Sequence, residues 1–242
     1  KLKAFNVEVA APGFINFSVK PEVLASDLAQ ILDNPDDYGQ NQSGQGQKVQ
    51  VEFVSANPTG PLTLANGRGG AIGDTLANVL ALSGYQVERE YYLNDTGNQV
   101  RLLGQSIQSS AGKIPNQDNF YQGEYIKDLA DIFKDQVELE SLELGHTAAD
   151  YLMEHEIKPA LERFDLKFDH FFSERALYSQ DLVQKALVEV EKQGVTYQKD
   201  GAVWFKTTDF GDDKDRVLMT SEAERGRAEP TYFLADIAYH LD

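Results

Sequence analysis

The chain has 242 residues and no cysteine, which excludes disulfides, zinc–thiolate sites and cysteine nucleophiles. It contains no run of about 18 apolar residues, so no membrane-spanning helix of ordinary length is expected. Lys and Arg number 22 against 39 Asp and Glu, and the net charge of −17 argues against a nucleic-acid partner, because phosphate binding needs clustered basic side chains.

The N-terminal part of the chain shows strand and helix patterns and then a polar segment. Apolar residues alternate over 5–9 and recur over 14–19, which predicts two strands, the first of them half-buried. Pro21 suits the first turn of a helix. Residues 33–47 are rich in Asn, Asp, Gln and Gly, and this composition predicts a flexible connector and a domain boundary. Because the chain opens directly on a strand pattern and stops within a helical one, we expect a segment of a longer protein.

Residues 48–93 contain the clearest pattern in the sequence. Alternating residues predict strands over 48–55 and 86–93, and helical spacing predicts a helix over 66–83 between them. Gly84 is well placed to end that helix. A strand, a helix and a strand within about 45 residues form a βαβ unit, which implies parallel strands and a right-handed crossover.

Helical patterns predominate in the rest of the chain, and one of them is acidic. Residues 124–169 carry 13 Asp and Glu against five Lys and Arg, so we expect this stretch to face solvent. The remaining predictions are helices over 98–109, 180–193 and 231–241, a loop over 110–120, a hairpin with its turn at 199–201, and a strand over 216–219.

Two predicted strand ends carry short polar side chains. Residues 55–57 precede a turn that contains Pro58 and Pro61, and residues 94–99 follow the second strand. Ligands of a doubly wound sheet bind at the carboxyl ends of the strands, so these groups suit a small polar ligand. The same residue types are also typical of turns without a ligand, and Glu52 near the first strand end could equally be a solvated side chain.

The start of the helix predicted over 66–83 is rich in glycine. Gly67, Gly69 and Gly73 would let a phosphate approach the backbone at a helix N-terminus, where N–H groups are free. The spacing is G-x-G-x-x-x-G rather than the G-x-G-x-x-G dinucleotide fingerprint. Nucleotide binding is therefore indicated, and a nicotinamide-dependent oxidoreductase is disfavoured.

Tyr232 and Asp236 stand four residues apart in the last predicted helix. Helical spacing places both side chains on one face. A carboxylate beside an aromatic ring suits a cationic side chain, although an ordinary amphipathic helix explains the same spacing.

The four histidines indicate no metal site. His146 and His155 are nine residues apart, and His170 and His240 have no close carboxylate or histidine at ligand spacing. The G-x-S-x-G elbow of serine hydrolases is also absent.

The segment VEFVSANPTGPL at 51–62 resembles bacterial arginyl-tRNA synthetases. Further blocks of the same resemblance follow in order along nearly the whole chain. They lie at 67–69, 73–74, 76–78, 90–95, 97–99, 121–125, 172–175, 208–216 and 230–240.

The resemblance implies a class I catalytic domain with an α/β fold. It implies the first half of a Rossmann-like nucleotide-binding domain, into which an α+β subdomain is inserted. The implied segments are the end of an N-terminal add-on domain with its connector over 1–47, the half-domain over 48–110, the insertion over 111–205, and a return to the catalytic domain over 206–242.

The implied activity is that of an arginine–tRNA ligase. ATP, with Mg²⁺ expected beside it, would convert L-arginine to arginyl-adenylate, and the arginyl group would pass to tRNA(Arg). The resemblance also implies a cytoplasmic monomer without a membrane partner. The tRNA-binding domains and the second half of the fold are expected outside this chain, so its acidity does not exclude tRNA, and the fragment alone is expected to be inactive.

The resemblance also implies roles for individual residues, with Asp236 pairing the guanidinium group and Glu52 holding the amino end of arginine. A catalytic role is implied for Thr63 and Asn66. The implied arginine site consists of Glu52, Ser55, Asn57, Tyr232 and Asp236, and the implied ATP site of Pro58, Thr59, Gly60, Thr63, Asn66, Gly67 and Gly69.

The sequence departs from the family pattern at two places. Residues 63–66 read Thr-Leu-Ala-Asn where class I synthetases have His-Ile-Gly-His or a close variant. Either Thr63, Asn66 and the helix N-terminus replace the histidines, or the chain belongs to a non-catalytic protein that binds arginine or a nucleotide. Residues 225–229 also differ from the short Asp-Gly turn that is usual before the last helix.

Overall fold

A computed structural model of the chain shows an α/β architecture. The chain divides into two compact units, one formed by 1–49 with 78–87 and the other by 50–77 with 88–242. No helix among the described residues is long and apolar enough to cross a membrane. The structure describes residues 2–35, 38–221 and 228–241.

The first unit contains a two-stranded antiparallel ribbon and a helix. Strand β1 spans Phe5–Ala10, β2 spans Phe14–Val19, and helix α1 spans Pro21–Asp33. These elements confirm the predicted strands and helix. The prediction of a half-buried first strand is wrong, since Val9 is 81% exposed and a two-stranded ribbon buries little of its own surface.

A three-stranded sheet with the order β3-β4-β5 carries the candidate site. Strand β3 spans Lys48–Glu52, helix α2 spans Leu64–Leu82, and β4 spans Gln86–Leu93, which confirms the predicted βαβ unit. Strand β5 spans His170–Ser173 and runs parallel to β4. The sequence did not predict β5, because its partner strand β4 lies 80 positions earlier and no local turn signal marks the pair.

The turn after α2 forms hydrogen bonds with the connector over 33–47, which precedes β3. Gly84 ends the helix as predicted, with φ +86°. The Gly44 N–H donates to the Ser83 carbonyl at 2.8 Å, and the Gly46 N–H donates to the Gly84 carbonyl at 2.8 Å. Among its described residues the connector forms turns without a helix or strand.

The helices that follow β4 pack around a core of their own. Two glycines let the first and third of these helices touch, because a Cβ on Gly104 would lie 1.8 Å from the Ser141 carbonyl oxygen and one on Gly145 would lie 2.0 Å from the Val100 oxygen. The helices are α3 over Gly97–Ser110, α4 over Glu124–Ile132, α5 over Ser141–Leu152, a π-helical turn over Met153–Ile157, and α6 over Lys158–Arg163.

The remaining elements form a second, antiparallel sheet with helices against it. The predicted hairpin is confirmed, with Asp200 and Gly201 at φ +53° and +76° in its turn. Residues 225–227 of the second departure from the family pattern lie outside the described residues. The elements are α7 over Glu174–Ser179, α8 over Leu182–Lys192, β6 over Thr196–Lys199, β7 over Ala202–Phe205, β8 over Arg216–Met219, and α9 over Tyr232–Leu241.

Candidate active site

The chain leaves β3 in a strained conformation that the neighbouring strand holds in place. Val54 and Ser55 have φ of +65° and +40°, which non-glycine residues rarely adopt. The Ser55 hydroxyl accepts the Tyr92 N–H at 3.1 Å, and the buried Tyr91 hydroxyl donates to the Ala56 carbonyl at 2.9 Å. Because backbone strain of this kind concentrates at functional sites, this strand end is a candidate ligand site.

The two polar strand ends that the sequence singled out meet through a side-chain hydrogen bond. Asn57 Nδ2 donates to Oε1 of Gln99, which lies in the first turn of α3. Pro58 and Thr59, next along the turn, are buried. Asn57 is therefore oriented by a residue that follows a different strand.

Thr63 and Asn66 cap the start of α2. The Thr63 hydroxyl donates to Asn66 Oδ1 at 2.6 Å, the Thr63 N–H donates to the same oxygen at 2.9 Å, and the Asn66 N–H donates back to Thr63 Oγ1 at 3.4 Å. This reciprocal pairing is a capping box. Among the described residues Asn66 Nδ2 has no partner, so this amide and the first-turn N–H groups that the cap does not use are the donors that a ligand could use.

The glycines of α2 divide into two kinds. A Cβ on Gly67 or Gly69 would meet nothing within 4 Å, so the backbone is open there. A Cβ on Gly70 would lie 2.5 Å from Leu166, and one on Gly73 would lie 2.3 Å from Phe53. The first pair can admit a phosphate, whereas the second pair lets α2 pack closely.

Glu174 is a candidate site residue that the sequence analysis missed. It is the first residue of α7, directly after β5, and is 2% exposed. Its Oε2 has no hydrogen-bond partner among the described residues. Burial, with smaller contributions from the negative charges of Asp95 and Asp236, raises the pKa of Glu174 to about 7. A buried carboxyl group with an unused oxygen and acidic neighbours is suited to bind a cation.

Asp236 and Tyr232 lie one helical turn apart on α9, and both are exposed. Partial burial raises the pKa of the Asp236 carboxyl. Burial raises the pKa of Tyr92, and the negative charges of Glu174 and Asp236 raise it further. The carboxyl groups of Glu174 and Asp236 therefore both act on Tyr92, which lies near the end of β4.

An ion pair between the buried Asp95 and the half-buried Arg175 fixes the backbone beside Glu174. Asp95 is 1% exposed and accepts the Arg175 N–H at 3.1 Å, Arg175 Nε at 2.8 Å and the Ser173 hydroxyl at 2.6 Å. Arg175 also pairs with Asp150 of α5. The Asp95 charge is thus compensated by Arg175, whereas no basic side chain pairs with Glu174 among the described residues.

His170 has a carboxylate partner, and the prediction that it has none is wrong. His170 Nδ1 lies 2.8 Å from Oε2 of Glu90, which is 80 positions away in the sequence and opposite it in the sheet. The Tyr239 hydroxyl bonds the other oxygen of Glu90. Burial raises the pKa of Tyr239, and the negative charges of Glu90, of the exposed Glu52 and of Glu88 raise it further.

The carboxylates of Glu88 and Glu90 and the imidazole of His170 offer ligand atoms within 4.8 Å of one another. Both Glu90 oxygens already take part in hydrogen bonds, one to His170 and one to Tyr239. A metal ion bound there would have to displace the His170 bond, so we assign this cluster to the attachment of α9.

The class of the protein follows from the parallel βαβ core, the polar strand ends and a match to a family model. The model for the catalytic domain of class I (R) tRNA synthetases matches residues 27–239. The chain belongs to this family, which confirms the predicted α/β class I synthetase fold.

Its curated relatives include arginine–tRNA ligases. The protein of that name from Syntrophotalea carbinolica is 42% identical over 249 aligned positions, which cover 98% of this chain and 44% of that relative. The protein of that name from Oceanobacillus iheyensis is 43% identical over 97% of this chain and 44% of its own length. The chain thus spans less than half the length of these relatives.

Solved structures agree with this assignment. A putative arginyl-tRNA synthetase from Campylobacter jejuni superposes with a TM-score of 0.77 at 36% identity, over 91% of this chain and 50% of that one. The arginyl-tRNA synthetase of Thermus thermophilus superposes with a TM-score of 0.67 at 23% identity, over 97% of this chain and 41% of that one. At that lower identity, the second likeness concerns the fold alone.

Proposed function

We propose that the protein carrying this sequence is an arginine–tRNA ligase, which activates L-arginine with ATP and transfers it to tRNA(Arg). The observation that carries the proposal is the buried carboxyl group of Glu174, whose Oε2 has no hydrogen-bond partner among the described residues and whose pKa the negative charge of Asp236 helps to raise. A guanidinium group is the biological cation that best fits paired carboxylates, because its planar fork bonds both at once. The names of the relatives support the same substrate.

In the proposed arginine site, Asp236 and Glu174 bind the guanidinium group. Tyr232 supplies an aromatic ring beside the cation, and Glu52 holds the amino end. Ser55 and Asn57 lie at the end of β3, where the neighbouring strand and Gln99 anchor them. Glu174 is the residue that the structure adds to the set implied by the family resemblance.

In the proposed ATP site, the phosphates lie over the first turn of α2, and Mg²⁺ accompanies them. The open backbone at Gly67 and Gly69 supports this placement. Thr63 holds Asn66 in the capping box, so Asn66 Nδ2 and the helical N–H groups donate to the phosphates. Thr63 and Asn66 are in this way the proposed catalytic pair, and Pro58, Thr59 and Gly60 form the adjoining wall.

The proposal extends to the setting of the protein. It places the protein in the cytoplasm as a monomer, and it assigns residues 1–47 to an add-on domain, 48–110 and 206–242 to the catalytic domain, and 111–205 to its insertion. Most of the tRNA contacts are assigned to parts of the protein outside this sequence.

Aminoacylation by the intact protein with arginine, ATP and tRNA(Arg) tests the proposal. We expect charging with arginine and none with lysine, whose ammonium group cannot bond two carboxylates in fork geometry. tRNA must be present throughout, since this family generally needs it for activation. Failure to charge tRNA above background would contradict the proposal.

The capping box at Thr63 and Asn66 favours a second candidate, a protein that binds arginine without charging tRNA. Neither residue can carry the charge of a histidine toward the phosphates, and such groups are often worth about 2.7–4 kcal/mol in the transition state. Arginine binding in calorimetry without charging would support this candidate. Recovery of charging in the double variant Thr63→His and Asn66→His would strengthen it.

A further inference from the structure

Residues 121–125 belong to the family resemblance, yet the proposed chemistry uses none of them. The segment leads into α4, which begins at Glu124 after Gly123, whose φ is +126°. Its two tyrosines, Tyr121 and Tyr125, are half-buried and pack against the helical core formed by α3, α4 and α5. Tyr125 reaches beyond that core to the turn after β3.

Tyr125 makes two contacts with the turn. Its hydroxyl donates to the Thr59 carbonyl oxygen at 3.1 Å, across 66 positions of the sequence. Its ring lies against Gly60, where a Cβ would be 3.2 Å from both the Cζ and the hydroxyl oxygen of Tyr125. Gly60 therefore admits the ring by having no side chain.

The turn has two separate anchors. Asn57 is held from α3 by Gln99, whereas Thr59 and Gly60 are held from α4 by Tyr125. The Thr59 N–H donates to the Asn57 carbonyl at 2.8 Å within the turn. Burial raises the pKa of Tyr125 to about 12, so its hydroxyl remains a hydrogen-bond donor at physiological pH.

We propose that Tyr125 is a positioning residue that holds Thr59 and Gly60 in the geometry needed to bind ATP, while Gln99 independently positions Asn57 for arginine. This inference rests on the proposed function, since it assigns the two ends of the turn to the two substrates. It gives Tyr125 a role in the active site, although this residue lies in the helical insertion. Tyr125 itself contacts neither substrate.

Tyr125→Phe in the intact protein tests the proposal, because it removes the hydroxyl and keeps the ring. We expect the KM for ATP to rise about threefold to tenfold, the range expected for one hydrogen bond, with the KM for arginine unchanged. Tyr121→Phe is the matched control, since Tyr121 bonds Ser106 through its backbone N–H and should change neither KM. Gln99→Ala should give the opposite result, with a raised KM for arginine alone.

Separate calorimetric titrations with ATP and with arginine provide a second measurement that needs no turnover. The Kd for ATP should rise in Tyr125→Phe, and the Kd for arginine should rise in Gln99→Ala. Equal changes for both substrates in Tyr125→Phe, or no change for either, would overturn the inference. Intact protein that shows this separation in binding but never charges tRNA would overturn the proposed function and leave the positioning role in place.

Discussion

Beyond Glu52, the polar side chains at the end of β3 are uncharged, and Ser55 bonds Tyr92, Asn57 bonds Gln99 and Thr63 bonds Asn66. At the end of β5 the side chains are charged, and one carboxyl oxygen of the buried Glu174 has no partner among the described residues. Within the part of the chain that the structure describes, the pairs at the β3 end form without a ligand, whereas Glu174 keeps an unused carboxyl oxygen. We therefore expect the cation of the substrate to be recognised at β5 and α9, and the β3 end to supply shape and orientation.

The ion pair beside Glu174 should have the largest effect on folding. Asp95→Ala leaves Arg175 without its buried partner, and breaking such a pair lowers the free energy of unfolding by about 3–5 kcal/mol. Chemical denaturation of the intact protein measures this. The control is Asp150→Ala, which removes the exposed partner of Arg175. This substitution should lower the free energy of unfolding by about 1 kcal/mol or less. An equal fall in the free energy of unfolding in the two variants would contradict the distinction between the buried and the exposed partner of Arg175.

Arginine binding should depend most on Asp236. Asp236→Ala leaves the guanidinium group short of a partner, and we expect weaker binding by roughly 2–5 kcal/mol, measured by calorimetry with the intact protein. Glu191→Gln, which removes one exposed acidic charge on α8, is the control for net charge. If Asp236→Ala leaves the Kd for arginine unchanged, arginine is not recognised at α9.

At pH 8, Glu174→Gln should change the stability of the protein and its affinity for arginine in opposite directions. Because the folded protein raises the pKa of Glu174 from 4.5 to about 7, the neutral form is favoured in the fold, and ionisation destabilises the empty protein increasingly as pH rises from 4.5 through 7. The substitution should therefore raise the free energy of unfolding by about 1–3 kcal/mol at pH 8 and have little effect at pH 4.

The same substitution should weaken arginine binding at pH 8. For the unsubstituted protein, arginine affinity should fall as the pH drops below 7, because binding needs the ionised carboxylate. Denaturation and calorimetry at both pH values measure these effects. A Glu174→Gln protein that is less stable at pH 8, or that binds arginine normally, would show that Glu174 has a structural role only.

The smallest expected effect concerns the helix cap at the β3 end. Thr63→Ala removes the capping hydroxyl, and we expect the free energy of unfolding to fall by about 1 kcal/mol. Thr75→Ala in the middle of α2 removes a hydroxyl that bonds the Ala71 carbonyl, and it should be neutral or stabilising. If the free energy of unfolding falls equally in both variants, the capping box does not stabilise α2.

Short-range patterns predicted most of the elements near the site. Residues 86–93 and 216–219 form strands with the predicted bounds, and the ends of α2 and α3 differ from prediction by one or two residues. The glycine after α2 is a local signal, so the sequence shows the end of that helix directly. Strand β5 was missed because it pairs with a strand 80 positions earlier, which no local pattern shows, and Glu174 was missed with it.

The sequence by itself determined the βαβ unit, the glycine-rich helix start and the family of the chain, because these depend on residues that are neighbours along the chain. Only the tertiary structure decided that Glu90 meets His170, that Tyr125 reaches Thr59, and that Glu174 is buried near Asp236. These contacts join residues about 60 to 80 positions apart. Burial and charge compensation depend on every element packed around a group, so they become visible only when the strands and helices are assembled.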